Sequence, residues 1–128
     1  MTGAQRRAPR AGLGRAAVGA ARGVARSFSE EPNLRIQLAV ALSAIALSLW
    51  LGTGTAIVVV CCALVIGSEL LNTALERLAD ALHPDPHPLV GAAKDAAAGA
   101  VLVCAVTAVV VGLLSMGPAL LERLRGWW

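Results

Sequence analysis

Three long apolar runs dominate this chain and decide what it can fold into. Ile36 to Leu51, Ala56 to about Leu75, and Ala96 to about Leu114 carry almost no charge, and apolar residues continue from the third run to Leu121. An α-helix needs about 20 apolar residues to cross the hydrocarbon of a bilayer. The first run is slightly short, but Leu34 and the aliphatic part of Arg35 extend it. At 128 residues and 57% hydrophobic, the chain is too apolar for an ordinary soluble domain and too short for two. A soluble bundle would keep a polar outer face on each helix, and these runs have almost none. The first run begins well inside the chain, lacks a small-residue cleavage site and precedes two similar runs. It therefore reads as a span and not as a cleavable signal peptide.

Charge asymmetry orients these spans. Seven of the eleven basic residues (Arg6, Arg7, Arg10, Arg15, Arg22, Arg26 and Arg35) precede or open the first run. The turn Gly52-Thr53-Gly54-Thr55 carries no charge, whereas Arg77 and Lys94 flank the polar loop from about Leu82 to Ala92. Basic residues stay on the cytoplasmic side, so the N-terminus and this loop are expected inside, with the Gly-Thr turn and the C-terminus outside. Arg123 and Arg125 oppose that orientation but are outnumbered. It also puts Trp50, Trp127 and Trp128 at the outer interface, where indole rings prefer to lie. Cys61, Cys62 and Cys104 fall inside the apolar runs and read as reduced packing residues.

Residues 1–12 read as a disordered basic tail and residues 13–30 as a surface helix. In that helix Leu13, Ala17, Ala20, Val24 and Phe28 share one face, with Arg15, Arg22 and Arg26 about 180° away. Such a basic amphipathic helix suits an anionic membrane surface. Pro32 is tolerated only in a first helical turn and keeps Glu31 out of the α region, so surface helix and first span should meet at Glu30-Glu31-Pro32. The fold expected is all-α and membrane-integral, with spans over about 34–51, 56–78 and 94–116, a membrane domain over 13–121 and an outer tail at 122–128.

The second span contradicts its own apolar character. Glu69, Asn72, Thr73, Glu76 and Asp80 fall within an arc of about 100° on one helix face. An ionisable group inside a membrane segment costs at least about 2.5 kcal/mol and is a functional-site hypothesis by default. Glu76 lies about 10 Å further along the axis than Glu69 at 1.5 Å per residue. Glu69 is then just inside the hydrocarbon, while Glu31, Glu76, Lys94 and Asp95 meet at headgroup level. Paired carboxylates there are hard oxygen ligands suited to Mg²⁺, which takes one or two carboxylates plus substrate phosphates. A nearby Lys neutralises phosphate charge, and a partly desolvated carboxylate accepts a proton from a hydroxyl. No Walker loop or G-x-G-x-x-G is present, so a nucleotide site would be of another kind. In His83-Pro84-Asp85-Pro86-His87-Pro88 the prolines preclude the helical pairing of two histidines on a metal, leaving a rigid loop.

Glu69-x-x-Asn72-Thr73-Ala74-x-Glu76-x-x-x-Asp80, followed by Lys94-Asp95-x-Ala97-Ala98-Gly99-Ala100-Val101, resembles the signature of the prokaryotic diacylglycerol kinase family, which includes the undecaprenol kinases. Glu31-x-Asn33-x-Arg35-Ile36 resembles its landmark at the start of the first span, and the resemblance covers roughly Gly23 to Leu114. It implies a homotrimeric bundle in the bacterial inner membrane that phosphorylates a membrane lipid alcohol with MgATP, with no nucleic-acid partner. It further implies Glu69 as general base and Glu31 and Glu76 on the metal. Lys94, Asp95, Asn72, Asp85 and His87 would lie at the nucleotide, and Glu69, Ala98 and Arg35 at the lipid substrate. His87-Pro88-Leu89 looks closer to the undecaprenol-type branch. One rival is a small proton-coupled transporter working through Glu69, which leaves the interfacial cluster without a role. Another is a structural subunit whose polar stripe pairs with a partner helix.

The topology has a direct test. Single cysteines at residue 53 and in the 83–87 loop, in a cysteine-free background, should react with an impermeant thiol reagent from opposite sides. Labelling of the loop from outside would overturn the orientation.

Overall fold

A computed structural model of the protein describes residues 12–126. Four α-helices make up the described residues: α1 Leu13–Glu30, α2 Pro32–Leu51, α3 Thr55–Leu82 and α4 Pro88–Arg125. The basic tail with Arg6, Arg7 and Arg10, and the terminal Trp127 and Trp128, lie outside the described residues. Helices α2, α3 and α4 are each long and apolar enough to cross a membrane.

The joint between α1 and α2 is one residue wide. Glu31 is extended at φ −105, ψ 109, as befits a residue before proline, and its N–H donates to Ser27 O at 2.9 Å. Pro32 opens α2, where its missing N–H leaves no helical bond unmade. From the next turn, Arg35 Nε donates to Phe28 O at 2.8 Å and Arg35 Nη2 donates to Ser29 O. One guanidinium thus satisfies two of the carbonyls that the end of α1 leaves without partners. Leu34 is fully buried under this corner, alongside buried Ser27.

Between α2 and α3 the chain reverses through two left-handed glycines, Gly52 (φ 71) and Gly54 (φ 68). Gly52 N–H donates to Leu49 O and Thr53 N–H to Ser48 O, each at 3.2 Å. That pairing is the Schellman closure, and it needs a residue at ease with positive φ in the Gly52 position.

The α3–α4 connection is shorter than the polar loop expected from the sequence. Helix α4 starts at Pro88, not near Lys94, because proline at the first helical position loses no bond. His87 caps it, Nδ1 accepting the N–H of Leu89 at 3.3 Å. At the far end α4 also runs past the expected limit near residue 116, through Pro118 to Arg125.

Helix α3 packs most extensively on α4, then on α2, and α1 touches both α2 and α3. Ala41, Leu51, Val58 and Cys61 are buried between these helices, yet α4 buries no residue at all. Cys61, Cys62 and Cys104 are free thiols. The Arg123 guanidinium sits 4.6 Å above the Trp50 ring, which puts the end of α4 beside the α2–α3 turn. The α1–α2 joint, the end of α3 and the start of α4 therefore share the opposite end of the bundle.

The two glycines separate two costs. A Cβ on Gly54 would sit 3.0 Å from Ser115 Cβ, while one on Gly52 would meet nothing within 4 Å. Gly52→Ala should cost about 1–2 kcal/mol for left-handed backbone alone, and Gly54→Ala should cost more. Unfolding midpoints in detergent, titrated with SDS, would check the order.

Candidate functional site

The polar stripe of α3 grades from buried to exposed along the helix. Glu69, Asn72 and Thr73 are 8%, 9% and 4% exposed, Glu76 is half-buried, and Asp80 is exposed. A single chain therefore already shields the deep part of the stripe. Asn72 Nδ2 donates to Glu76 Oε1 at 3.0 Å, one turn along the same face. Asn72 Oδ1 is buried and unpartnered among the described residues. A desolvated acceptor in that state costs about 1–3 kcal/mol and marks a place where a donor or a hydrated cation fits. No hydrogen bond or ion pair engages Glu69 among the described residues, so its carboxylate stands ready for an outside partner.

A second group forms where the α1–α2 joint meets α3. Arg26 Nε lies 2.7 Å from Glu30 Oε1, and Arg77 Nη2 lies 2.9 Å from Glu30 Oε2 and 3.0 Å from Glu31 Oε1. The Arg26 hydrogen bond, aided by the charges of Arg26 and Arg77, holds the Glu30 carboxyl below the usual carboxylate range. Sequence reasoning used Arg77 only as a topology marker. Its better signal was its position, since it is the only cation in α3 and directly follows Glu76.

The third group joins α3 to α4. Lys94 Nζ lies 2.9 Å from Asp80 Oδ1, with a groove of about 280 Å³ beside it lined by Leu78, Leu82, His83, His87 and Leu89. The His83 and His87 rings stand 5.5 Å apart and tilted by 39°. His87 spends Nδ1 on its helix cap and keeps Nε2 for other partners. Asp85, Asp95 and Ala98 are exposed nearby in sequence, on the loop and on α4. Arg35 is engaged with the carbonyls of Phe28 and Ser29.

Three of the expected landmarks thus gather at one end of α3. Arg77 ties Glu31 to the turn that carries Glu76, Lys94 closes on Asp80 one turn beyond, and Glu69 lies deeper in α3. Among the described residues no three His, Cys, Asp or Glu side chains form a metal cage. Mg²⁺ does not require one, because it is satisfied by one or two carboxylates, waters and substrate phosphates. Glu31, Glu76 and Asn72 Oδ1 each offer an oxygen of that hard type.

Comparison with known proteins follows the same residues. A family model described as prokaryotic diacylglycerol kinase matches residues 19–116. The chain is 56% identical over 52 residues to the undecaprenol kinase of Bacillus subtilis, a match covering 41% of this chain and 42% of that one. It is 38% identical over 104 residues to the diacylglycerol kinase of a Synechocystis species, covering 78% of this chain and 59% of the relative. The chain therefore spans about half the length of these relatives.

The Lys94–Asp80 pair is too exposed to hold the fold, at 36% and 69% side-chain exposure. Asp80→Ala should lower the thermal midpoint in detergent only marginally. A larger loss would show that the contact closes the α3–α4 corner.

Proposed function

The chain belongs to the prokaryotic diacylglycerol kinase family, and from that membership and the arrangement of α3 we propose that it transfers the γ-phosphate of MgATP to the hydroxyl of a membrane lipid alcohol. The observation that carries the reading is the graded stripe, in which a buried, unpartnered Glu69 is followed by Asn72, Glu76 and Asp80 toward the charged end of the bundle. One helix thereby links an apolar depth, which lipid tails can occupy, to a polar rim that a lipid hydroxyl and a soluble nucleotide can both reach.

In this reading Glu69 accepts the proton of the lipid hydroxyl as the alcohol oxygen attacks the γ-phosphorus, whose bond to the β–γ bridging oxygen breaks to release ADP. Its position suits it to that task, because it is buried on α3 and engaged by no hydrogen bond or ion pair among the described residues. Glu76, oriented by Asn72 Nδ2, and Glu31 would hold Mg²⁺ through their carboxylate oxygens. When bound, the metal offsets the charge on the phosphates and polarises them toward attack. Lys94 adds positive charge at the same rim, with Asp95, Asp85 and His87 at the nucleotide, and Ala98 and Arg35 toward the lipid. The transporter alternative explains Glu69 but gives the rim no work.

The membrane setting extends the proposal. α1 lies on the anionic cytoplasmic surface of the bacterial inner membrane, its exposed Arg15, Arg22 and Arg26 toward the headgroups and Leu13 and Val24 toward the acyl chains. The N-terminus is cytoplasmic, where ATP is found. A homotrimer is supported by α4, which buries no residue within one chain and carries Ala96, Ala97, Ala98, Gly99 and Ala100 for close helix approach. Diacylglycerol and undecaprenol are the two candidate substrates that the relatives' names suggest.

Purified protein in nanodiscs, with labelled ATP and a panel of lipid alcohols, tests the reading. Glu69→Gln should cut turnover about 10²–10⁴-fold while MgATP still binds. Glu76→Gln should weaken MgATP binding itself. Phosphate transfer to no lipid alcohol would overturn the function, and normal MgATP binding by Glu76→Gln would remove that residue from the metal.

A further inference from the structure

The structure pairs Glu31, a residue the functional reading assigns to the metal, with the guanidinium of Arg77. The contact has three properties that fit a temporary partner. It is single-pronged, because the same Nη2 nitrogen serves both Glu30 and Glu31, and the rest of the fork makes no hydrogen bond among the described residues. It is half-exposed on both sides, at 39% for Arg77 and 37% for Glu31. Exposed pairs of this kind are weak and break readily. Finally, Glu30 keeps Arg26 as a second partner, so Arg77 can leave without stranding either carboxylate of the joint once a cation takes Glu31.

Arg77 also stands where phosphate charge would arrive. It directly follows Glu76 on α3, and the neighbouring cation, Lys94, is already paired with Asp80. A planar fork with free donors matches phosphate oxygens bidentately, a better geometry than it now has with Glu31.

We propose that Arg77 is an exchanging cation: it neutralises Glu31 while the site is empty, and on nucleotide binding gives Glu31 up and turns its guanidinium to the phosphates. This rests on the kinase reading above, but its test does not depend on turnover. The rival is a plain brace that holds the α1–α2 joint against α3.

The two accounts differ in sign for a metal without nucleotide. Removing an exchanging cation frees Glu31, so Arg77→Gln should bind Mn²⁺ alone more tightly, by about threefold or more at the level of one weak ion pair. The same variant should bind MgATP more weakly, by about tenfold for a lost charged hydrogen bond. Mn²⁺ titrations of nucleotide-free protein in nanodiscs, read by the free-ion paramagnetic resonance signal, give the first quantity. Equilibrium binding of a fluorescent ATP analogue with Mg²⁺ gives the second. Arg77→Lys should retain most of both properties, and Arg77→Gln in a Glu31→Gln background should show no gain in Mn²⁺ affinity. Loss of affinity for both ligands in Arg77→Gln would establish the brace and overturn exchange, as would no change in either. Tighter binding of both would overturn the phosphate role. If these results hold while no lipid alcohol is phosphorylated, the functional reading fails and the exchange stands.

Discussion

Polar side chains that must stay out of hydrocarbon organise this molecule. Glu69, Asn72 and Thr73 belong to a helix otherwise fit for lipid, and an ionisable group facing acyl chains costs at least about 2.5 kcal/mol. The fold meets that constraint by making α3 its axis: α1, α2 and α4 all touch it. The three residues are buried as a result, and the stripe opens only toward the end where Glu76 and Asp80 leave the apolar zone. A helix with nothing to hide would need no such enclosure, and α4, with its apolar surface, has none.

The ionic contacts at the charged end act on a smaller energy scale. Arg77 with Glu30 and Glu31, and Lys94 with Asp80, are half-exposed or exposed pairs, which water screens and which add little to stability. Membrane insertion of three apolar helices far exceeds that. The pairs therefore mark register more than they set stability: they show which turn of α3 lies beside the one-residue joint and which lies beside the start of α4. Contacts this weak leave the three-helix corner able to adjust.

The three apolar helices and the polar stripe were legible in the sequence because hydrophobic periodicity and the cost of buried charge are local properties of a run. The joint was legible for a similar reason, since Pro32 restricts both itself and Glu31 whatever surrounds them. The extent of α4 was not. Pro86 and Pro88 read as loop residues, and only the His87 cap turns Pro88 into a helix start. Nor could the sequence expose the burial of the stripe within one chain, which depends on how closely α2 and α4 flank α3. The ion pairs of Arg77 were not legible because Glu31 lies 46 residues away, a separation that no local pattern encodes.

The length of α4 has its own consequence. Its 38 residues span about 57 Å at 1.5 Å per residue, against about 30 Å of hydrocarbon. Nearly half of the rod must stand outside the oily layer or be taken up by tilt. Arg123, held on Trp50, anchors one end at the side of the α2–α3 turn, so much of the surplus projects from the other face. The paired stretch of α3, 28 residues long, rises with it. Together they form a short pier, and Lys94, about 43 Å along α4 from Arg123 at 1.5 Å per residue, stands past the reach of about 30 Å of hydrocarbon unless the rod tilts strongly. On the proposed function, a water-borne substrate would moor there while a greasy one entered at its foot.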